Sequence, residues 1–375
     1  MKRILVLSVA LLIVIFADVT AYSVDYEHYS QQFEASGASE LNGYLDENTR
    51  EYLGKLGVDP SDIDGMMSLS LGSLGEMLMN MLRVNLSAPL KGCLTACGAV
   101  MLVSVCGVFF PDNEKGKNTM NLICGCFVIT SVMIPATDAV NAGVSAMKLC
   151  AGFGKALVPV LAAVLTASGN PASALSYQSV AFAAAQTVEA IAKNFALPLV
   201  YISGILGAVG AFLPTLRLSA VSDLIRKTAT TVVGLTAAFF SGFLTLKNVI
   251  SSSADGLAAK GIRLAASTFI PVVGGALSEA YSALSGSLSL LKGIVGIYGI
   301  IAVAVTVAPP VISLALWLLG MRAAAMMSDL LGNSQCSDII RNISYMFSML
   351  NAMLIFSAAV FIISSGIVAS MKAGG

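Results

Sequence analysis

The sequence predicts an all-α membrane protein: a polytopic helix bundle of about six to seven spans, preceded by a signal peptide and a small exported acidic helical segment. Three observations carry this reading. Of 375 residues, 57% are A, V, I, L, M, F, W, Y or C and 11% are charged, whereas a soluble domain carries roughly 25% charged residues. Apolar stretches of about twenty residues recur along the chain, the length that crosses a hydrocarbon core of ~30 Å. The charges are also divided: residues 22–88 hold eleven acids and three bases, residues 89–375 nine acids and sixteen bases. Three regions follow: 1–21 as signal peptide, 22–88 as an extracytoplasmic acidic and amphipathic segment, and 89–375 as a multi-pass membrane domain.

Composition excludes several functions. Lys+Arg and Asp+Glu are 21 each, so no net charge drives nucleic-acid binding, and no nucleic acid is expected as a partner. His28 is the one histidine, which removes Ser-His-Asp triads and multi-histidine zinc sites. The seven cysteines lie in or beside apolar runs, while an exported disulfide framework would place them in the polar segment.

Lys2 and Arg3 precede the apolar run Ile4–Phe16, and Val19-Thr20-Ala21 supplies the small residues a signal peptidase accepts, so cleavage after Ala21 is expected. An uncleaved anchor is the alternative. In both cases the positive end stays inside and residues 22–88 are exported. Within them, Leu41, Leu45, Tyr52 and Leu56 give weak helical periodicity, and Asp59-Pro60-Ser61-Asp62 reads as a turn and helix start. Met66, Leu69, Leu74, Met77, Leu78, Met81 and Leu82 form a methionine-rich stripe. It suits a helix on the membrane surface or against the bundle, or a partner-docking face.

Six stretches read as spans: Leu90–Phe110, Met120–Thr137, Phe195–Pro214, Thr228–Leu246, Gly293–Leu319 and Tyr345–Ser370. The first two form a hairpin over the charged turn 111–118. Pro309-Pro310 should kink the fifth or divide it into half-helices. Phe153–Ser168, Tyr177–Lys193 and Leu264–Leu291, the last broken by Pro271 and Gly274-Gly275, stay open between span, re-entrant piece and interfacial helix. Loop charges are too balanced to orient the bundle.

No enzyme constellation emerges. Gly152-Phe153-Gly154-Lys155 lacks the leading glycine and the hydroxyl of a phosphate-binding loop, and no H-E-x-x-H occurs. Cys93 and Cys97 share a helix face opposite Cys124 and Cys126, but thiols two positions apart on a helix diverge, so no metal site is assigned. Catalytic and cofactor-binding residues are assigned none. Charges in apolar surroundings are the usual functional flag: Asp138, Lys155, Glu189, Lys193, Asp255, Lys260, Arg263, Glu279 and Lys292. Glu189 and Lys193 share a helix face at i,i+4. Small residues mark close helix approach: Ser203, Gly207 and Ala211, then Gly293, Gly296 and Gly299. The structural and assembly candidates are Pro271, Gly274, Gly275, Gly293, Gly296, Gly299, Pro309 and Pro310.

Between residues 260 and 299 the pattern becomes specific. Lys260-Gly261-Ile262-Arg263, the block Phe269-Ile270-Pro271-Val272-Val273-Gly274, Ser278-Glu279-Ala280, and Leu291-Lys292-Gly293-Ile294-Val295-Gly296-Ile297-Tyr298-Gly299 resemble the stage III sporulation protein AE family. The leader, the acidic head, the hairpin and the membrane body agree over essentially the whole mature chain. The resemblance implies a mother-cell protein of the membrane around the forespore. It would be a component of a channel or feeding apparatus that supports late forespore transcription. Its partners would be the stage III sporulation proteins AA to AH and, indirectly, the forespore's stage II sporulation protein Q, with energy supplied by the AA ATPase. The resemblance carries over no catalytic residues. The competing reading is an autonomous small-solute permease. That would call for two similar halves with paired broken helices, yet Pro309-Pro310 has only the single Pro271 as a counterpart.

Overall fold

The computed structural model describes residues 26–108, 114–196 and 274–370, with scattered positions between 198 and 242. The expected signal peptide, most of Phe195–Pro214, about half of Thr228–Leu246, and Pro271, Asp255, Lys260 and Arg263 lie outside the described residues. Among the described residues the regular structure is helical throughout.

The acidic segment folds as a chain of short helices: α1 (Tyr26–Ala35), a 3₁₀ turn (Ala38–Tyr44), α2 (Glu47–Leu56), α3 (Ile63–Met67) and α4 (Leu71–Asn85). The expected start at Asp62 is an N-cap, its carboxylate accepting from the Gly65 amide at 3.0 Å. Asp59 closes the preceding turn by accepting from the Ser61 amide. The methionine stripe divides between two environments. Met66 and Met81 are buried, while Leu78 and Leu82 stay exposed.

Among the described residues, four helices are long and apolar enough to cross a membrane. They are α5 (Ser87–Val108), α6 (Glu114–Ala167), α8 (Gly274–Leu330) and α9 (Ser334–Ser370), with α7 (Pro171–Ala190) against α6. A π-helical turn, Ile191–Ala196, extends α7. Several boundaries differ from expectation. Met120–Thr137 and Phe153–Ser168 are parts of one helix, α6, and the turn expected over 111–118 is already helical from Glu114. Tyr177–Lys193 falls in α7 and the π turn, outside the four apolar helices. The helix α8 runs without division through Pro309 and Pro310. Each proline removes one helical hydrogen bond, a loss that neighbouring helices can make good inside a bundle.

Side-chain contacts fix the layout. Gly296 meets Ala369, and Trp317 stacks on Phe347 with centroids 5.6 Å apart, so α8 and α9 are antiparallel. Gly143 touches Leu314 and Leu350, and Gly154 meets Phe361, so α6 runs with α9. Cys93 of α5 donates to the Gly320 carbonyl and Asn333 donates to Ser104, so α5 runs with α8. Both helical hairpins close on glycine at positive φ, Gly169 at 81° and Gly332 at 77°. In each, a 6→1 hydrogen bond ends the helix: Asn170 to Leu165 and Asn333 to Ser328.

The short N-terminal helices join the same apolar core as the long ones. Leu41, Leu53 and Met81 are fully buried there.

Candidate assembly site

The residues singled out as a glycine face lie in α8. Gly274 and Gly275 form its first turn. At Gly293 an added Cβ would meet nothing within 4 Å. One at Gly296 would stand 2.8 Å from the Ala369 Cβ and 3.3 Å from the Ser365 carbonyl, and one at Gly299 2.5 Å from Leu157. Gly296 therefore seats α9, and Gly299 seats α6. Both close approaches are internal to the chain.

Four more glycines do the same work and were not singled out in the sequence. A side chain at Gly92 would overlap the Trp317 indole, one at Gly154 the Phe361 ring, one at Gly143 Leu314 and Leu350, and one at Gly320 Cys93. The spacing of Gly152 and Gly154 drew attention as a failed phosphate loop. Its structural meaning is the opposite: Gly154 is a notch for an aromatic ring. Without a hydrophobic driving force between helices in lipid, such close packing is a main source of cohesion.

Polar contacts knit the acidic helices to this core. Tyr298, in the fully buried part of α8, donates its hydroxyl to the Asn42 carboxamide oxygen, and its ring meets Phe153 edge-on at 6.2 Å. Thr49 lies 3.3 Å from the buried Thr306 hydroxyl, which donates to the Ala302 carbonyl. Tyr29 donates to the Pro60 carbonyl at 2.7 Å. Burial raises the Tyr29 hydroxyl well above the ordinary phenol range, with Asp59 adding to it.

The flagged charges separate into groups. Lys155 of α6 and Lys193 of the π turn both grip Glu189 of α7. The i,i+4 pair read from sequence is thus one side of a triad closed across two helices. Hydrogen bonds from Lys155 and then Lys193 hold the Glu189 carboxyl down at about 2. Asp138 is exposed and Lys292 is buried. Arg341 and Asp329 pair near the Gly332 turn.

One face of α9 was not anticipated. Ser337, Ser344, Asn351 and Ser365 recur at multiples of seven residues, and all are buried. The Asn351 side-chain oxygen and the Ser337 hydroxyl have no hydrogen-bond partner among the described residues. Single serines in an apolar helix read as ordinary span residues, so only the seven-residue interval signalled this seam. Among the described residues no group of three or more His, Cys, Asp or Glu side chains could hold a metal ion.

Long apolar helices, six glycine notches and an acidic segment docked on the same core define a polytopic helical membrane protein. The chain belongs to the stage III sporulation protein AE family, which it matches over residues 62–372. It is 27% identical over 288 residues to the stage III sporulation protein AE of Bacillus subtilis (strain 168), an alignment covering 73% of this chain and 72% of that one. No solved structure matches. The chain is a sporulation-related membrane protein.

Proposed function

We propose that the protein is a non-enzymatic, membrane-embedded subunit of the channel complex between mother cell and forespore. It would sit in the mother-cell membrane around the forespore and be needed for late forespore gene expression. Its partners in this reading are the stage III sporulation proteins AA to AH and, through them, the forespore's stage II sporulation protein Q. The observation that carries the reading is the family match, which runs from the Asp62 cap of α3 to the end of α9. The geometry is compatible with a scaffold role: the glycine notches spend close packing on making one rigid body, and the acidic helices stay exposed on their outer side.

The test is complementation paired with reconstitution. Deleting the gene should block late forespore transcription, and the intact chain should restore it. The purified protein alone in liposomes should show no saturable solute uptake. Saturable uptake by the isolated chain would promote the permease reading instead.

A further inference from the structure

At 1.5 Å per residue, the 57 residues of α8 extend about 85 Å, while a bilayer core takes ~20 residues. Only part of α8 can lie in lipid. Hydropathy alone favours Gly293–Leu319, which is free of charge. Burial points elsewhere.

From Leu291 to Val307 side chains are buried on every side of the helix, including Ile300, Ala302 and Val305. An all-round apolar helix is explained by burial, whether in protein or in lipid. Here the wall is protein: Gly299 lies on Leu157, Gly296 on Ala369, Tyr298 on Asn42 and Thr306 by Thr49. The outer surface of that wall is charged. Glu40 and Glu47 are exposed two residues from Asn42 and Thr49, and the Lys155–Glu189 pair is part-exposed beside Leu157. Hydrocarbon around such a shell would strand those charges.

From Val311 to Leu331 the burial becomes one-sided. Large apolar side chains point outward from three adjoining helices: Leu94 and Leu102 of α5, Phe127 of α6, and Leu319, Met326 and Leu330 of α8. Contacts of Gly92 with Trp317 and of Ser104 with Asn333 set these segments at one depth. The 19 residues Ser87–Val105 rise about 28 Å, close to a bilayer core of ~30 Å. Lys91 stands at one rim and the Asp329–Arg341 pair near the other. Besides these, three exposed charges fall within the belt: Arg322, Asp138 and Asp338, which is three residues from Arg341 at the rim. Arg322 has a stem long enough to snorkel, and Asp138 lies five residues deeper into the belt than Gly143, which meets Leu314 near the rim on the side of the acidic helices.

We propose that lipid hydrocarbon encircles only this half of the bundle, from Ser87–Val105 of α5 to Val311–Leu331 of α8 with the adjoining parts of α6 and α9. The acidic helices, α7 and the C-terminal half of α9 then share one aqueous side, and the Gly332 turn faces the other. The uncharged stretch from Gly293 to Val307 is the core of a water-exposed stalk.

Brominated-lipid quenching tests the belt, because Trp317 is the chain's one tryptophan and is buried. In brominated liposomes, added fluorescence from Leu102→Trp and Met326→Trp should be strongly quenched, and that from Leu175→Trp, on α7, left unchanged. In sealed vesicles, Glu47→Cys and Leu175→Cys should react with an impermeant maleimide from one face and Asn333→Cys from the other, read above wild-type reactivity. Quenching at Leu175, no quenching at Leu102 and Met326 because protein covers them, or Asn333 and Glu47 reacting from the same face would each overturn the placement.

Discussion

The Tyr298 hydroxyl donates to the Asn42 carboxamide across 256 positions of sequence, joining the buried middle of the longest helix to the acidic N-terminal helices. The contact makes the acidic segment part of the bundle's packing, and it can be weighed by a double-mutant cycle. Tyr298→Phe leaves the Asn42 oxygen unpaired and should lower stability by roughly 1–2 kcal/mol. Asn42→Ala should cost a similar amount, and the pair together clearly less than the sum. Thermal unfolding in detergent reads this; strict additivity would mean that the two groups do not interact.

The glycines divide by what surrounds them. Gly92→Ala drives a methyl into the Trp317 indole and should destabilise by roughly 1–3 kcal/mol. Gly293→Ala meets nothing within 4 Å and gains helix propensity, so a rise of up to about 1 kcal/mol is expected. Equal melting shifts for the two variants would refute the notch assignment.

Glu189 sets a pH dependence. Its carboxyl is held at about 2, below its ordinary 4.5, by Lys155 and Lys193. A carboxylate shifted down contributes stability that is complete above pH ~4.5 and is lost as pH falls toward 2. The melting difference between wild type and Glu189→Gln should therefore shrink across that window and stay flat above it. A difference that grew with acid would show that the triad does not favour the charged form.

The seam on α9 gives a fourth expectation. A buried amide oxygen without a partner costs free energy, so Asn351→Leu should leave the melting temperature unchanged or raise it. A marked fall would mean that ordered water satisfies Asn351 and that the seam is hydrated.

Much of this architecture was legible in the sequence, and the exceptions have physical causes. The Asp62 cap, the Glu189–Lys193 pair and the close approach at Gly296 and Gly299 follow from local spacing, which a helix fixes. The continuity of α6 and of α8 through Pro309-Pro310 does not, because proline forbids a hydrogen bond locally while packing decides the outcome globally. Gly92 and Gly154 could not be told from other glycines, since their partners Trp317 and Phe361 are more than two hundred residues away. Hydropathy likewise could not tell a helix buried by protein from one bathed in lipid, and it set Gly293–Leu319 apart as a span on composition alone.

Affinity purification of the tagged chain from sporulating cells, with its companions identified by mass spectrometry, bears most directly on the proposed role. We expect several of the stage III sporulation proteins AA to AH to co-purify in mild detergent. Recovery of the chain alone, from cells in which those proteins are present in the same membrane, would contradict the subunit reading.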